Sequence, residues 1–299
     1  MICSRRAARR RFLSTTLALG AALRFSTGAR AALPGKSTGL CRLDPEQEEG
    51  PFYLDEHLFR SDITEGKAGI PLVLNIAVID QHRCAPLANA TVDIWQCDAL
   101  GLYSGFTKLG MVPVGGPGAP GAPPFGPPPA GTDFAQRGAP PEGPPPGLPP
   151  DMPPGPPPGS KPTDRLTFLR GIQRTDDRGN VMFHTILPGC SMGRTNHIHF
   201  KVRVAGAGQG REHVAHTGQI FFPEPLTAAL MGLEPYRHHR IPRTTQAEDP
   251  VFTGQHGAGA IARVQALTGS DYAKGLRADV IAVVDPNATP PAVDRSVKG

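Results

Sequence analysis

Alternating apolar and polar residues mark strand-length segments along much of the chain. The pattern predicts strands within PLVLNIAVID (71–80) and ATVDIWQCD (90–98). It predicts a further pair of strands in HIHFKVRVAG (197–206) and VAHTGQIFF (214–222). Successive side chains of a strand point to opposite faces, so each segment can bury one face against a core.

Turn residues and one short helical pattern complete the predicted elements. The segment RGIQRTDDRGNVMFHTIL (170–187) predicts a β-hairpin with its turn at residues 176–179. A short helix is predicted over residues 224–232, and few other segments show helical periodicity. Several short strands separated by turns are typical of a mostly all-β sandwich, which we place in one domain over residues 40–290.

Proline and glycine interrupt this domain over residues 111–162. Of the chain's 35 prolines, 21 fall in this stretch, together with 11 of its 36 glycines. Such a composition cannot form a sheet ladder and offers little to bury, so we predict a disordered Pro/Gly-rich inserted loop. A spacer is favoured over a binding role for the prolines. Residues 291–299 are predicted to form a flexible tail.

The first 31 residues have the form of a twin-arginine signal peptide. Consecutive arginines at Arg9 and Arg10 precede a short apolar run, and small residues at Ala29 and Ala31 suit a signal peptidase. The run is too short to span a bilayer, so no membrane segment is expected in the mature chain. The alternative is a disordered basic arm. A signal predicts export by the Tat pathway to the periplasm or the cell exterior.

Removing that segment changes the sign of the net charge. Residues 1–31 contain seven arginines and no acid, and the remaining 24 basic and 26 acidic side chains turn the formal charge of +5 into −2. The basic isoelectric point therefore belongs to the signal. No basic stripe interleaved with aromatic residues remains, so nucleic acid is not expected as a partner.

Four cysteines remain in the mature part, Cys41, Cys84, Cys97 and Cys190. An exported chain can keep disulfides, and four cysteines allow three pairings. Cys84 and Cys97 flank a predicted turn between two strand-like runs, so we favour a local disulfide between them. None of the four has CxxC spacing, which makes a metal cluster of cysteines the weaker alternative.

His197 and His199 stand two apart in a predicted strand and therefore point the same way. Alone, such a pair is more often two ordinary half-buried histidines than half of a metal site. Three neighbours favour a metal: Arg194 on the preceding turn, Gln219 in the strand expected to return alongside, and Tyr103 after the 90–98 segment. A phenol and two imidazoles suit a ferric ion, a hard acid that favours anionic oxygen.

Several fragments of the chain, taken in order, match the motifs of one enzyme family. They include CAPLANATVDIWQCDALGLYSG (84–105), FLRGIQRTDDRGNVMFHTILPG (168–189), GRTNHIHFKV (193–202) and HTGQIFF (216–222). With these motifs the chain resembles the intradiol ring-cleavage dioxygenases, and most closely their secreted, single-chain branch. The resemblance implies a mixed-topology β-sandwich and a non-haem Fe(III) enzyme that uses O2 to open a catechol between its hydroxylated carbons.

Carried over residue by residue, the resemblance assigns iron binding to Tyr103, His197 and His199. Arg194 and Gln219 match pocket residues that contact the substrate or intermediates, and the resemblance implies a catalytic role for both. The implied partners are a small aromatic diol and O2.

The second tyrosine ligand of the family is replaced in this chain. The family motif PGWYxGR is here PGCSMGRT, so Ser191 stands where the tyrosine should be and Cys190 where the tryptophan should be. Since an alcohol resists deprotonation, we expect reduced or altered activity rather than none. Tyr53 is a further candidate for the substrate pocket, with a packing role as its alternative.

Two other interpretations stay open. The Ser191 replacement also suits a secreted, non-catalytic β-sandwich binding protein that retained the dioxygenase scaffold. The site can also take zinc or copper, because two imidazoles accept either metal. No GxSxG, Walker or dinucleotide motif supports a hydrolase or a nucleotide-dependent enzyme.

Overall fold

The computed structural model describes residues 41–109, 161–206 and 212–293. The predicted signal peptide, almost all of the Pro/Gly-rich insertion and most of the predicted tail lie outside these residues. Within the described ranges, no helix has both the length and the apolar composition needed to cross a membrane.

Strands account for most of the regular structure in the described ranges, and two short α-helices accompany them. The strands are β1 (Pro71–Asp80), β2 (Ala85–Pro86), β3 (Thr91–Trp95), β4 (Arg170–Arg174), β5 (Asn180–Ile186), β6 (His197–Ala205), β7 (Glu212–Phe221), β8 (Arg263–Ala266) and β9 (Leu276–Val284). The helices are α1 (Glu224–Leu230) and α2 (Pro250–Gly254). Strand β1 and helix α1 lie where the sequence predicts a strand and a short helix.

Two sheets form the fold. One sheet contains β2, β1, β9 and β8 in that order, with β5 also paired to β1. The other has the order β4, β3, β6 and β7. Strands β1 and β9 are parallel, whereas the other strand pairs are antiparallel. The predicted mostly all-β sandwich of mixed topology is therefore confirmed.

The main core consists of apolar side chains from both sheets. Leu72 and Leu74 of β1 are fully buried in it, as are Ile198 and Phe200 of β6. Because neighbouring side chains of a strand alternate between faces, the two histidines that alternate with Ile198 and Phe200 point to the other face of their sheet. We call that face of the β4-β3-β6-β7 sheet its outer face.

The predicted hairpin over residues 170–187 is wrong. Strand β4 pairs with β3 and strand β5 pairs with β1, so the two strands belong to different sheets. The turn between them forms where expected: the Asp176 carboxylate accepts hydrogen bonds from the N–H groups of Arg178 and Asn180, and Gly179 has a φ of 74°. Local turn chemistry thus predicts the reversal of the chain but not the partners of the flanking strands.

An extended stretch, residues 44–55, crosses the outer face and is named here the covering segment. The N–H of Gln47 donates to the carbonyl of Thr217 at 2.9 Å, and the side-chain oxygen of Gln47 accepts from the N–H of Gln219 at 2.7 Å. Both contacts are made to β7, the edge strand of the four-stranded sheet. The segment therefore uses backbone groups that the edge of the sheet leaves unpaired.

The disulfide predicted between Cys84 and Cys97 is wrong. Cys84 is bonded to Cys41, which lies just before the covering segment, and Cys97 and Cys190 are buried free thiols. Cys84 precedes strand β3 and Cys97 follows it. A five-residue strand spans about 16 Å, which keeps the two sulfur atoms far apart.

Candidate metal centre

The start of β6 and the loop after β3 bring three predicted metal ligands together. The Nε2 atoms of His197 and His199 are 3.0 Å apart, and Oη of Tyr103 lies 3.4 Å from Nε2 of His197. None of the three side chains is more than 3% exposed. Their donor atoms therefore converge at one buried point on the outer face.

A backbone carbonyl fixes the orientation of the His197 ring. Nδ1 of His197 lies 2.6 Å from the carbonyl oxygen of Thr195. Because a carbonyl only accepts hydrogen bonds, Nδ1 carries the proton and Nε2 carries the lone pair. That lone pair faces the other two donor atoms, which is the arrangement that histidine ligands of metals adopt.

The two imidazole nitrogens have a spacing that a shared metal ion allows. Metal–imidazole bonds of about 2.0–2.1 Å place two nitrogens about 3 Å apart when the bonds meet at a right angle. Among the described residues, no group of three or more His, Cys, Asp or Glu side chains could hold a metal ion. In this centre the third donor is instead a phenol. Tyr103, His197 and His199 therefore fit a first-row metal ion that accepts two nitrogens and one oxygen.

The protonation state of Tyr103 depends on burial and on the charged groups around it. Burial raises the pKa of Tyr103 well above its usual range, and Cys97 adds to the effect. Arg194, Arg170 and a hydrogen bond with the Ser191 side chain act on this pKa in the opposite direction. A metal cation would add strongly to that opposite effect and stabilise the phenolate. Ser191, the replaced ligand position, is thus near enough to Tyr103 to act on its pKa.

Aromatic rings and the covering segment pack directly on the three predicted ligands. The ring of Trp95 stacks on His199 with 5.0 Å between centroids and 4° between planes, and Phe52 stacks on Tyr103 at 4.2 Å. Gly50 has a φ of 72°, and a Cβ atom at this position would lie 3.0 Å from Cε1 of His199. The chain therefore passes so close to His199 that glycine is the residue that fits.

The two predicted catalytic residues lie together beside this centre. Nε of Arg194 is 3.0 Å from both carboxylate oxygens of Asp249, and Nη1 is 3.3 Å from Glu48. Nη2 of Arg194 donates to the side-chain oxygen of Gln219. Gln219 is directly opposite His199 across β6 and β7. The guanidinium is thus fixed in place by two carboxylates and an amide.

Sequence reasoning missed Asp249 and Glu48. Burial alone would raise the pKa of Asp249, but the nearby Arg194 and other groups outweigh it and hold that pKa below its usual range. Asp249 also caps α2, where it accepts a hydrogen bond from the N–H of Val251 at 2.9 Å. An aspartate before Pro250 is a recognisable start of a helix. Its ion pair with a residue 55 positions earlier has no local signal.

Tyr53 lies beside the centre rather than among its donors. Its hydroxyl donates to Asp93 at 3.0 Å, and its ring centroid is 4.8 Å from that of Trp95. Nζ of Lys201 lies 3.6 Å from the centre of the Tyr53 ring. Trp95 separates Tyr53 from His199, so these contacts support the packing alternative.

Comparison with solved structures finds close counterparts of this fold. An intradiol ring-cleavage dioxygenase from Tetranychus urticae is 28% identical, with a TM-score of 0.62 over 84% of this chain and 98% of that chain. A second solved dioxygenase is also 28% identical over the same shares, with a TM-score of 0.61. No protein-family model matches the chain, and no curated protein matches it. The structures confirm the resemblance to intradiol ring-cleavage dioxygenases that the sequence motifs carry.

Proposed function

We propose that this chain is a non-haem, ferric-iron-dependent dioxygenase that performs intradiol cleavage of a catecholic aromatic compound with O2. One observation carries the proposal. At a buried point, Nε2 of His197 lies 3.0 Å from Nε2 of His199 and 3.4 Å from the phenol oxygen of Tyr103. The likeness to solved intradiol dioxygenases supports the same reaction.

The three donors would hold the ferric ion, and the surrounding residues would organise the substrate. When bound, Fe(III) would supply an electron-poor centre that withdraws electron density from a chelated catecholate and makes its ring reactive to O2. Arg194 places its guanidinium beside this point, and this charged group can donate hydrogen bonds to the oxygens of a catecholate. Its ion pairs with Asp249 and Glu48 keep that charge in position before the substrate arrives.

Ser191 determines how this site differs from the family pattern. Its hydroxyl acts on the pKa of Tyr103, but an alcohol does not ionise as a phenol does, so it provides no second anionic ligand. With one anionic ligand fewer, the site would hold iron less tightly. Ser191 would also be unable to take up a proton that the catechol releases on binding, so water would have to accept it. Activity is therefore reduced or altered relative to the four-ligand pattern.

Oxygen consumption with a panel of catechols tests the proposal. Iron-loaded protein should consume O2 and release ring-opened product, and Tyr103→Phe should abolish both. Ser191→Tyr should tighten iron binding and raise turnover, because it restores the phenolate next to Tyr103. Matched Ser191→Phe supplies the ring without the hydroxyl and should give neither gain. Iron-loaded protein that yields no ring-opened product from any catechol contradicts the proposal.

A second candidate function rests on Ser191. Loss of one ligand suits a protein that binds an aromatic compound or a metal on the dioxygenase scaffold without turnover. Saturable catechol binding without O2 consumption would select this candidate. Metal analysis of protein purified without added iron tests the related alternative of zinc or copper.

We also propose that the chain acts outside the cytoplasm. The twin-arginine pattern within residues 1–31 supports export, and the disulfide between Cys41 and Cys84 suits an oxidising compartment. Replacing Arg9 and Arg10 by lysine should retain the protein in the cytoplasm. Unchanged export of that variant contradicts the Tat route.

A further inference from the structure

One row of side chains crosses the outer face of the four-stranded sheet. The strand register places Arg170 of β4 opposite Trp95 of β3, Trp95 opposite His199 of β6, and His199 opposite Gln219 of β7. Directly opposed residues have Cβ atoms about 4.5–5.5 Å apart and project from the same face. Arg170 and Trp95 therefore lie side by side, and Trp95 separates Arg170 from the metal ligand His199.

These two neighbours each present a buried donor without an acceptor. Nη1 of Arg170 and Nε1 of Trp95 are inaccessible to solvent, and among the described residues neither has a hydrogen-bond partner. Both groups can only donate. A buried donor without an acceptor is costly and rare, so two of them on adjacent side chains mark this end of the row as a place where an acceptor would stabilise the fold.

Neither side chain is free to turn its donor elsewhere. Nε of Arg170 donates to the hydroxyl of Ser104 at 2.8 Å, and Nη2 donates to the carbonyl of Ser104 at 2.7 Å. The Trp95 ring is stacked on His199 and touched on another side by Tyr53. The two unused N–H groups are therefore fixed by the packing around them.

The electrostatics favour an acceptor with a negative charge. The Arg170 side chain is 4% exposed, and its hydrogen bonds go to the neutral Ser104. Burial lowers the pKa of Arg170 to about 10, and Glu56, Tyr103 and Asp93 act on it in the opposite direction from farther away. The guanidinium remains charged at neutral pH. A buried cation of this kind is stabilised by a directly bound anion.

We propose that Nη1 of Arg170 and Nε1 of Trp95 form a binding site for a small monovalent anion, in the row that also carries His199. The chemistry that would satisfy both groups is a compact negative acceptor that binds N–H donors. A free halide-sized ion and the carboxylate of an aromatic ligand both provide it. The anion site does not require bound iron, so it can be tested independently of the proposed dioxygenase activity.

The sole tryptophan of the chain makes this site directly observable. Trp95 is the only fluorophore of its kind and is 1% exposed, so a solute that merely collides with the surface does not reach it. Bromide or benzoate, added at constant ionic strength and pH against bulky gluconate, should change its fluorescence in a saturable manner. A response to bromide identifies a free-ion site, and a response to benzoate alone identifies a carboxylate site.

Substitutions locate the response. Arg170→Met should weaken the anion affinity by about tenfold to a hundredfold, since it removes a charged hydrogen-bond donor. Arg203→Gln is the matched control: Arg203 is also largely buried but already pairs with Asp93 and Asp55, so its loss should leave the affinity unchanged. A response that is absent, unsaturable or equal in Arg170→Met overturns the proposal.

If Arg170→Met does not fold, crystallography of the wild-type chain tests whether an anion binds at this site. Crystals of the wild-type chain soaked in bromide should show an anomalous peak within hydrogen-bond distance of Nη1 of Arg170 and Nε1 of Trp95. A water molecule there, or no density, in bromide-soaked crystals and in crystals grown with benzoate overturns the proposal.

Discussion

The disulfide between Cys41 and Cys84 allows a quantitative test of how the covering segment is held. The bond closes a loop of 43 residues that contains the whole covering segment. In the chain-entropy description, a loop of this length restricts the unfolded chain by about 4 kcal/mol at 25 °C. The double variant Cys41→Ser with Cys84→Ser should therefore lose a free energy of unfolding of about that size.

Urea unfolding measures this loss. With a slope of roughly 2 kcal/mol per molar, the midpoint of the double variant should fall by about 2 M. Reductant should shift the wild type by a similar amount and leave the double variant unchanged. The buried free thiols Cys97 and Cys190 provide the control, because their replacement should leave the sensitivity to reductant intact.

Peptide mapping under non-reducing conditions identifies the pairing independently. It should recover a peptide with Cys41 joined to one with Cys84. A bridge that includes Cys97 would refute this pairing. A stability loss below about 1 kcal/mol, the size of an ordinary substitution, would refute the entropy reasoning even with the pairing correct.

Two further predictions concern the outer face. Gly50→Ala should lower both the free energy of unfolding and the affinity for iron, because the new Cβ meets His199. Gly66→Ala is the control, because Gly66 has a similar φ of 74° and a Cβ atom there would meet nothing within 4 Å. It should show only the backbone penalty of about 1–2 kcal/mol and an unchanged iron affinity. Equal iron affinities in the two variants would contradict the contact between residue 50 and His199. Burial raises the pKa of Asp93 to about 7, and the nearby Lys201 opposes this only in part. In the unfolded chain the pKa of Asp93 is near 3.9. The free energy of unfolding is therefore undiminished by this group below about pH 4, and it falls by an amount on the order of 4 kcal/mol as the pH rises to about 7. Unfolding curves of Asp93→Asn should lack that loss, and an unchanged pH dependence would show that Asp93 stays ionised.

Local sequence signals predicted the parts of this protein that depend on local chemistry. The alternating pattern gave β1 within its true bounds, and the same period of two explains why His197 and His199 share a face. The position of Tyr103 beside them came from the resemblance of motifs. Periodicity alone cannot bring a loop residue 94 positions away to a strand.

Contacts between distant segments were the ones that sequence could not provide. The turn at Asp176 was recognisable, yet its flanking strands joined different sheets because their partners are set by packing of the whole sandwich. Cys84 is bonded to Cys41 because the start of the covering segment lies beside the end of β1, and no local sequence signal predicts that path. The ion pair of Arg194 with Asp249 is of the same kind.

The visible spectrum of the ferric protein is the decisive test of an iron centre built on Tyr103, His197 and His199. A phenolate bound to Fe(III) gives a charge-transfer band, and the chain has four tyrosines, each of which can be changed to phenylalanine in turn. We predict a coloured wild type, loss of the band in Tyr103→Phe, and its retention in the Tyr53, Tyr236 and Tyr272 variants. A band that survives in Tyr103→Phe, or a wild type that stays colourless and free of iron, would contradict this prediction.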